Sequence, residues 1–391
     1  MQVLDFIRNN ENWEELLAAE PYPIRASWDG DYVLLKYNQL ASDFTQEIVR
    51  ECRGAIFYIP KHNHKRVQVV CYPFYKFGNY GESYVPEIDW STASVQEKVD
   101  GSLIKMWYHD GSWHGSTNGI IHAIHAGTSI PGLSFFGVVC KAIPRKHCLV
   151  EFFNALDKDY AYMFELVSPE TRMTIEYPQA ALYYLGARNM YTLQEVDYPE
   201  ETDDAVFFDC VKVPMRYPLN TLEQCIAATQ SMGADEEGFV VCDAAFNRMK
   251  IKSPEYLMAA RVRNNNVITV KRVMEAVRGG YIDDLYAYLP DYHPYIDDIL
   301  NAYNYIAMKC DHAYQAVVER MKENPSLRLF EAVKVEESEY QDYCFRRISG
   351  RVLDEYDYLE KRVSLGQIID WIKAEMKIES IIKALVYKCF Y

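Results

Sequence analysis

Three features that mark other classes of protein are missing from this sequence. No run of apolar residues approaches the length of a membrane span, and the N-terminus, Met1–Asp5, has no signal-peptide layout. The ten cysteines are scattered from Cys52 to Cys389 and include no Cys-x-x-Cys pair. Together with the missing signal peptide, this argues against a disulfide framework and against a zinc cage. We therefore expect a cytoplasmic protein with reduced thiols and no membrane partner.

Positive charge is also scarce. The chain has 41 Lys and Arg residues against 56 Asp and Glu residues, which gives a formal net charge of −15. Non-specific binding to nucleic acid depends on clustered Lys and Arg residues that displace counterions from phosphates. The charge balance therefore argues against a general nucleic-acid coat protein, but it leaves room for an enzyme that contacts a few phosphates in one groove.

What the sequence does contain is enough apolar material for two domains. Of its 391 residues, 49% are hydrophobic and 14% aromatic, which is more than one typical domain requires. The pattern changes after Pro254, where apolar residues begin to recur at helical spacing in three segments: 270–277, 299–321 and 365–376. We predict one domain over residues 1–254 and a helical domain over residues 255–391.

The first domain has the alternation of apolar and polar residues that is typical of strands. A helical pattern covers residues 3–17, and strand-like runs separated by turn residues follow it. The predicted strands are 32–37, 53–58, 67–72, 103–108, 162–167, 182–186, 239–242 and 248–252. The two domains therefore differ in type, with mixed strands and helices first and helices alone second.

One lysine of the first domain has a distinctive setting. Lys98 lies at the end of an extended segment, directly before the polar break Asp100-Gly101-Ser102. The alternating run 103–108 follows, and Asp110-Gly111 supplies the residues that a two-residue hairpin turn needs. At this position the lysine amine can point into a cleft.

Two further lysines and two carboxylates lie in strand-like surroundings. Lys250 and Lys252 are two residues apart, so both project from one face of a strand. Taken alone, this pair also fits an edge strand that lysines protect from pairing. Glu165 lies in an apolar run and therefore needs a partner, which could be a ribose hydroxyl, a metal ion or a salt bridge. Glu237 precedes a strand, where acidic turn residues are common.

In this order and at these intervals, the motifs resemble those of the T4 RNA ligase 1 branch of the covalent nucleotidyltransferases. The matching segments are Lys98-x-Asp100-Gly101-Ser102, 164–167, 237–240 and 250–252, with the upstream elements 37–38, 51–54 and 73–79. The likeness covers roughly residues 30–255. It implies an α+β adenylyltransferase domain of antiparallel sheets with flanking helices over 1–254, and an all-α C-terminal domain that helps to select the RNA.

The resemblance also implies the residues of the site. The implied catalytic residues are Lys98, Asp100, Gly101, Lys250 and Lys252. The implied ATP-binding residues are Tyr37, Arg53, Lys76, Glu97, Lys98, Glu165, Glu237, Lys250 and Lys252. Glu165 and Glu237 are the implied ligands of Mg²⁺ or Mn²⁺.

Each of these residues has an implied task. Lys98 would form the lysyl-AMP phosphoramidate, and Asp100, Gly101 and Ser102 would shape the turn that presents it. Glu97 would accept a hydrogen bond from the adenine amine, and Glu165 would contact the ribose. Lys250 and Lys252 would neutralise the α-phosphate region, while Arg53 and Lys76 would bind the β- and γ-phosphates.

The chemistry of the amine sets a further expectation. A free lysine amine has a pKa of about 10.4, so it is protonated and weakly nucleophilic near neutral pH. It attacks phosphorus only if burial or nearby cations lower its pKa and if other cations neutralise the phosphates. We therefore expect Lys98 to lie, uncharged, beside other basic side chains and the metal-binding carboxylates.

Other polar clusters have a plainer interpretation or stay open. Where relatives carry a basic residue after the first hairpin, this chain has Thr117-Asn118-Gly119, so we expect a weaker phosphate or ribose contact near Asn118. Neither histidine pair has an evident third metal ligand, and we interpret them as an exposed turn and as core or surface histidines: His62 and His64, and His122 and His125. The basic residues of the helical domain fit either RNA contacts or a solvated helix face: Arg261, Arg263, Arg346, Arg347 and Arg351.

The resemblance implies an ATP-dependent RNA ligase of the cytoplasm, phage- and virus-encoded enzymes included, that acts as a monomer. It would pass AMP from Lys98 to an RNA end with a 5′-phosphate and join this end to a 3′-hydroxyl, with a broken tRNA as one suggested substrate. A DNA ligase or a GTP-using capping enzyme is the first alternative, and the helical C-terminus argues against the OB-fold that a DNA ligase would have there. A nucleotide- or RNA-binding module without turnover is the second, and the lysine, carboxylates and cation pair argue against it.

Overall fold

The computed structural model describes residues 1–39, 41–128, 130–200, 202–233, 235–256, 269–280, 282–288 and 292–390. The chain divides into two compact units, Met1–Asn265 and Asn266–Tyr391. The division falls after Pro254, in the part of the sequence where the apolar pattern changes. The functional boundary after residue 254 stays a prediction.

Unit 1 is built on strands that run antiparallel within three sheets. They are β1 (Ile24–Asp29), β2 (Tyr32–Tyr37), β3 (Arg53–Tyr58), β4 (Gln68–Cys71), β5 (Ser94–Glu97), β6 (Ser102–His109), β7 (Ser112–Ser116), β8 (Tyr160–Val167), β9 (Ala181–Asn189), β10 (Glu195–Val196), β11 (Arg216–Tyr217), β12 (Gly238–Cys242) and β13 (Arg248–Lys252). Sheet A has the order β1-β2-β3-β4, sheet B the order β11-β5-β12-β13, and sheet C the order β10-β9-β8-β6-β7.

Helices cover the outer faces of these sheets. The helices of unit 1 are α1 (Gln2–Asn9), α2 (Trp13–Ala18), α3 (Glu47–Glu51), α4 (Phe135–Ala142), α5 (Leu149–Asn154), α6 (Asp204–Cys210) and α7 (Leu222–Thr229). Short 3₁₀ helices cover Pro60–His62, His64–Arg66, Ala123–His125 and Pro169–Thr171. The single helical pattern over residues 3–17 is thus two helices, α1 and α2.

Alternation along the strands decides which face each residue covers. In sheet A, Val33 and Leu35 of β2 join the core under α1–α3, whereas Leu34 packs with Trp107 of β6 between sheets A and C. In sheet C, Ile104 and Phe164 belong to the core under α4–α6. The opposite face of sheet C, which carries the odd-numbered residues of β6, is turned to the interior of unit 1.

The predicted hairpin after Lys98 is confirmed. β6 and β7 pair antiparallel, and the turn between them is made by Asp110 and Gly111, with φ angles of 48° and 78°. Positive φ at both central residues is what a type I′ turn requires, and Asp-Gly is among the pairs that accept it.

Unit 2 contains only helices among its described residues. They are α8 (Val270–Gly279), α9 (Ile282–Tyr288), α10 (His293–Glu323), α11 (Leu329–Val333), α12 (Ser338–Ile348), α13 (Glu355–Lys361) and α14 (Leu365–Phe390). The predicted apolar stripe lies on α10, where Ile299, Ile306 and Val317 are buried. The fold is therefore α+β with an all-α C-terminal region, as predicted. Within the described ranges, no helix is both long and apolar enough to cross a membrane.

Two of the basic residues that the sequence analysis named in the C-terminal region, Arg346 and Arg347, have partners within unit 2. Arg346 pairs with Asp342 at 2.7 Å on α12, and the guanidinium of Arg347 lies 5.3 Å from the ring of Tyr314. Arg261 and Arg263 lie outside the described residues. RNA binding by this unit stays a prediction.

Candidate active site

The strand pairing in sheet B brings Lys98 next to two motif segments that lie far from it in the sequence, 237–240 and 250–252. Glu97, the last residue of β5, pairs with Phe239 of β12, and the Lys98 amide donates a hydrogen bond to the Gly238 carbonyl at 2.8 Å. On the other side of β12, Gly238 pairs with Lys252 of β13. Gly238 and Lys252 follow Lys98 by about 140 and 154 positions in the sequence. All three residues therefore meet at one end of the adjacent strands β5, β12 and β13.

The side chains at this end form a buried ion triad. Glu237 Oε2 accepts a hydrogen bond from Lys98 Nζ at 2.8 Å, and Glu237 Oε1 pairs with Lys252 Nζ at 2.8 Å. The side chains of Glu237 and Lys252 are only 3% and 5% exposed, and that of Lys98 is 20% exposed. Burial alone would raise the pKa of Glu237, but the charges of Lys252 and Lys98 outweigh it, and the pKa is lowered.

The triad adds a contact that the sequence analysis does not contain. Glu237 engages the Lys98 amine in a salt bridge at 2.8 Å and shares this carboxylate between Lys98 and Lys252. The expectation of an uncharged amine stays a prediction. The rest of the expectation agrees with the geometry, because Lys98 lies beside a carboxylate and a second lysine.

Glu165 faces the same region from sheet C. It lies on β8 opposite Leu103, and no hydrogen bond reaches its carboxylate from the described part of the chain. Burial raises the pKa of Glu165 to about 7, with Glu237 and Asp100 adding to the rise while Lys98 and Arg53 oppose it. Glu165 is thus an available carboxylate that is partly protonated near neutral pH.

The pH dependence of stability tests this environment of Glu165. Because the folded-state pKa of about 7 exceeds the ordinary value of 4.5, the folded protein binds more protons than the unfolded chain between these pH values. Stability must therefore fall as the pH rises through this window. We expect Glu165→Gln to unfold roughly 2–4 °C higher than the wild type at pH 8 and at nearly the same temperature at pH 5.

Glu170 provides the matched control for this measurement by thermal denaturation. Its pKa is lowered, chiefly by the hydrogen bond from Lys141, so neutralising it removes a favourable interaction. Glu170→Gln should be no more stable than the wild type at pH 8. A Glu165→Gln variant that unfolds below the wild type at pH 8 would show that the carboxylate is compensated in the folded protein.

Asp100 has a structural position in the turn after Lys98. Its Oδ2 accepts hydrogen bonds from the amides of Thr174 and Ile175 at 2.7 and 2.6 Å, and its Oδ1 accepts one from the Tyr256 hydroxyl at 3.1 Å. Burial raises its pKa, and Glu237 raises it further. Asp100 thus connects the Lys98 turn to the segment after β8 and to Tyr256, which lies shortly after the end of β13.

Two glycines let the strands approach at the site. A Cβ on Gly101 would lie 2.6 Å from the Leu166 carbonyl oxygen of β8. Gly238 has a φ of +131°, and a Cβ there would lie 2.2 Å from the Ile251 carbonyl oxygen of β13. Any side chain at either position would push the neighbouring strand away.

The remaining predicted residues surround Phe77 and Phe44. Phe77 lies between Arg53 and Lys250, whose cationic atoms are 5.3 and 5.8 Å from the centre of its ring. The amine of Lys76 is buried 5.1 Å from the ring of Phe44 and 5.7 Å from that of Tyr37. Lys76, Tyr37 and Phe44 therefore lie together.

Glu97 and Lys250 occupy the flanks of sheet B. The Glu97 carboxylate accepts a hydrogen bond from the Met215 amide at 3.2 Å. Lys250 exchanges backbone hydrogen bonds with the 78–80 segment, at 2.9 Å to Gly78 and 2.8 Å from Tyr80. Met249 and Ile251 are buried in the sheet B core, so Lys250 and Lys252 do project from the opposite face, as predicted.

A buried ion network next to the site has no counterpart in the sequence analysis. Glu195 of β10 accepts a hydrogen bond from Arg188 at 2.9 Å and a second from Arg248 of β13. The Arg248 guanidinium also lies 4.2 Å from the ring of Phe74. Glu195 therefore links sheet C to the strand of sheet B that carries Lys250 and Lys252.

Removing this link should weaken the whole unit. Glu195→Ala leaves two buried guanidinium groups without their carboxylate, and we expect it to lower the free energy of unfolding by about 3–5 kcal/mol. Glu176→Ala is the control, because Glu176 pairs with Arg172 at 3.0 Å but is 74% exposed and should change stability by less than about 1 kcal/mol. Urea denaturation of both variants compares them, and equal effects would contradict a structural role for Glu195.

The carboxylates fit one kind of metal site. Among the described residues, no group of three or more His, Cys, Asp and Glu side chains is arranged to hold a metal ion. Mg²⁺ is commonly bound by one or two carboxylates together with water and substrate phosphates. Glu165 and Glu237, which influence each other's charge, fit such a shared site and not an all-protein cage.

The histidines form no metal site in this part of the chain. His122 lies 3.7 Å from Asp29 and packs against Trp107, with ring centres 6.5 Å apart. Its ring centre is 6.3 Å from that of His125. Their interpretation as core or surface histidines agrees with these contacts. His64 lies in a short 3₁₀ helix, and the backbone at His62 forms another.

The sequence of this chain is similar to those of known RNA ligases. A family model described as RNA ligase, of the T4 RNA ligase 1 type, matches residues 51–256, just over half of the chain. A protein described as a bifunctional polynucleotide kinase/RNA ligase from Autographa californica nuclear polyhedrosis virus is 29% identical over 293 residues, which are 68% of this chain and 39% of that protein. An RNA ligase from Rhodothermus phage RM378 is 23% identical over 386 residues, covering 82% of this chain and 86% of the relative.

Solved structures are similar at a lower level. An archaeal ATP-dependent RNA ligase has 13% sequence identity and a TM-score of 0.44 over 89% of this chain and 82% of its own. A mutant of Naegleria gruberi RNA ligase with ATP and Mn has 16% identity and a TM-score of 0.34 over 44% of this chain and 52% of its own. The match of the family model decides the assignment: this chain belongs to the RNA ligase family of the T4 RNA ligase 1 type.

Proposed function

We propose that this protein is an ATP-dependent RNA ligase and that Lys98 is its nucleophile. The observation that carries the proposal is the ion triad, in which one buried carboxylate holds two lysine amines at 2.8 Å each. Glu237 is the anion that holds these two like charges together, and a nucleotide phosphate is an anion that both amines can bind as well.

The reaction would take place in three steps. The Lys98 amine, having lost its proton, attacks the α-phosphorus of ATP; a P–N bond forms and pyrophosphate leaves. A 5′-phosphate oxygen of RNA then displaces the lysine, which gives an RNA end capped by AMP. Finally, a 3′-hydroxyl attacks the capped phosphate, AMP leaves and a phosphodiester bond forms.

The surrounding side chains would bind and orient the nucleotide. Lys250 and Lys252 would neutralise the α-phosphate, and Arg53 and Lys76 would bind the β- and γ-phosphates. Glu97 would accept a hydrogen bond from adenine, Glu165 would contact the ribose, and Tyr37 would flank the nucleotide. Asp100 and Gly101 would hold the turn that aims Lys98.

Glu237 and Glu165 would also hold a divalent cation. Mg²⁺ or Mn²⁺ would supply positive charge that neutralises the phosphates of ATP. Glu237 would then have a partner other than Lys98, and the amine would be free to lose its proton. The shared-carboxylate arrangement of the two residues supports this assignment.

The proposal also covers the tasks of the two domains, the RNA substrate, the cellular compartment and the oligomeric state. Residues 1–254 would carry adenylyl transfer, and the helical domain over 255–391 would help to select RNA with 5′-phosphate and 3′-hydroxyl ends. A nicked tRNA is the substrate class suggested by the family resemblance. We further propose that the protein acts in the cytoplasm as a monomer.

Covalent labelling tests the proposal. Purified protein is mixed with α-labelled ATP or GTP and Mg²⁺ and separated on a denaturing gel. We expect a label from ATP alone. A label from GTP would indicate a capping-type enzyme, and no label from either nucleotide would indicate a binding module without turnover.

Ligation assays then separate the substrates. Nicked duplex, single-stranded RNA and a tRNA cleaved in its anticodon loop are offered in parallel, each with a 5′-phosphate and a 3′-hydroxyl, and a nicked DNA duplex is added as a control. We expect RNA to be joined and DNA to be joined far more slowly. Efficient sealing of the DNA nick would favour the DNA ligase alternative.

A further inference from the structure

A second lysine in this region has a setting that the proposed mechanism does not use. Lys105 of β6 is completely buried, and its Nζ donates a hydrogen bond to the Gly54 carbonyl oxygen. No carboxylate pairs with it among the residues that the structure describes. A buried ammonium without a counterion destabilises a folded protein, so its presence calls for a functional reason.

The position of Lys105 points to the nucleotide site. Leu103 pairs with Glu165 and Lys105 pairs with Met163, so Lys105 and Glu165 lie on the same, inward face of sheet C. Arg53 connects the two electrostatically: its charge lowers the pKa of Glu165 and also that of Lys105. Lys105 therefore lies close to Arg53, because it contacts the adjacent Gly54 from the inward face of sheet C.

The neighbours of Lys105 do not compensate its charge. Burial, together with Arg53, lowers the pKa of Lys105 to about 8, so the amine is mostly charged at pH 7. An ionised Cys71 thiol would favour the charged amine, but burial raises the pKa of this thiol to about 11, so the group is neutral. Two positive groups, Lys105 and Arg53, thus reinforce each other.

The Lys105 amine also lies close to the segment after the first hairpin, in which this chain has no basic side chain where relatives have one. A Cβ on Gly54 would lie 2.7 Å from the Asn118 carbonyl oxygen and 2.9 Å from Lys105 Nζ. The Asn118 carbonyl and the Lys105 amine therefore both lie next to Gly54. The segment is Thr117-Asn118-Gly119, and the side-chain oxygen of Asn118 is buried without a partner. The cation at this place therefore comes from β6 and not from the segment itself.

We propose that Lys105 is a positioning residue for ATP, a fixed positive charge next to Arg53 that the triphosphate compensates on binding. The inference rests on the proposed function, because it names ATP as the ligand. Lys105 does not touch the nucleotide. It acts through Arg53, which it holds at the start of β3 by its hydrogen bond to Gly54, and through its charge.

The test separates the charge of Lys105 from its hydrogen bond. Lys105→Met removes both, whereas Lys105→Gln removes the charge and keeps a donor for the Gly54 carbonyl. Rates of covalent labelling are measured against ATP concentration for both variants, with Lys141→Met as the control for a lysine outside the site. Thermal denaturation is recorded for every protein.

We expect both variants to raise the KM for ATP by about tenfold or more, the effect of one unit charge on the order of 10 Å away at an effective dielectric constant of about 20. Their kcat should change by less than about threefold, because no reacting atom is touched. The unfolding temperature of Lys105→Gln should equal or exceed that of the wild type, since the lost charge had no counterion and a donor for the Gly54 carbonyl remains. Lys105→Met also leaves this carbonyl without a donor and should unfold at a lower temperature than Lys105→Gln.

Two results would overturn the inference. An unchanged KM in Lys105→Gln, or failure of both variants to fold, would mean that the lysine serves the fold alone. If the wild-type protein takes no label from ATP, the proposed function itself is wrong. The wild-type sample alone shows this outcome, so it is distinguished from a failure of the inference about Lys105.

Discussion

Replacement of Lys98 by methionine is expected to abolish the covalent label from ATP and to slow the joining of 5′-phosphate RNA by at least about 10³-fold. Methionine has nearly the same length as lysine but no amine, so the P–N bond cannot form. Glu237 keeps its salt bridge to Lys252 at 2.8 Å, and we therefore expect the variant to remain folded. Gel labelling and thermal denaturation measure the two effects together.

Two controls show whether the loss of labelling is specific to the Lys98 amine. Lys141 also pairs with a glutamate at 2.8 Å, but outside the site, and Lys141→Met should be labelled as the wild type is. RNA that already carries AMP on its 5′-phosphate bypasses the lysine, so Lys98→Met should still seal it at a measurable rate. A Lys98→Met protein that accepts a full label from ATP would exclude Lys98 as the nucleophile.

Replacement of Gly238 by alanine is expected to be almost as damaging, through the backbone. The new Cβ would lie 2.2 Å from the Ile251 carbonyl oxygen and 2.7 Å from the Lys252 Cα, at a φ of +131°. β12 and β13 would have to separate where Glu237 holds Lys98 and Lys252. We expect labelling to fall by about 100-fold or more and the free energy of unfolding to fall by more than about 3 kcal/mol.

Gly81 is the matched control for Gly238. It also has a positive φ, +94°, but a Cβ there meets no atom within 4 Å. Gly81→Ala therefore isolates the cost of the backbone conformation, which we expect to be about 1 kcal/mol, with labelling preserved. If the two alanine variants behave alike, the contact between β12 and β13 is not what requires glycine.

The parts of the site that follow from local patterns could be predicted from the sequence. Lys250 and Lys252 alternate with buried Met249 and Ile251, and the strand period alone places both lysines on one face. The turn at Asp110-Gly111 has the residues of a two-residue hairpin, and the structure has that hairpin. In both cases neighbours in sequence decide the conformation.

The contacts that depend on distant residues could not be predicted in this way. Lys105 and Gly54 are 51 positions apart, Glu195 and Arg248 are 53 apart, and Asp100 and Tyr256 are 156 apart. Each pair meets only because strands of different sequence order become neighbours in the sheets. For Lys105 the sequence contains one signal, a lysine within the apolar pattern of β6. As for Glu165, burying this charge is costly unless it has a partner or a function.

The salt bridge of Lys98 also depends on a distant residue. Glu237, which lies 139 positions away in the sequence, accepts the hydrogen bond of the Lys98 amine. The residues next to Lys98 do not indicate this partner, because β5 and β12 become neighbours only in the folded sheet.

Mass spectrometry of the labelled protein tests the central claim most directly. The protein is incubated with ATP and Mg²⁺ and digested, and the peptides are searched for one added AMP, before and after the addition of 5′-phosphate RNA. We expect the adduct on Lys98 alone and its disappearance when RNA is added. An adduct on a different lysine, such as Lys252 or Lys105, or an adduct that RNA cannot remove, would contradict the assignment of Lys98 as the nucleophile.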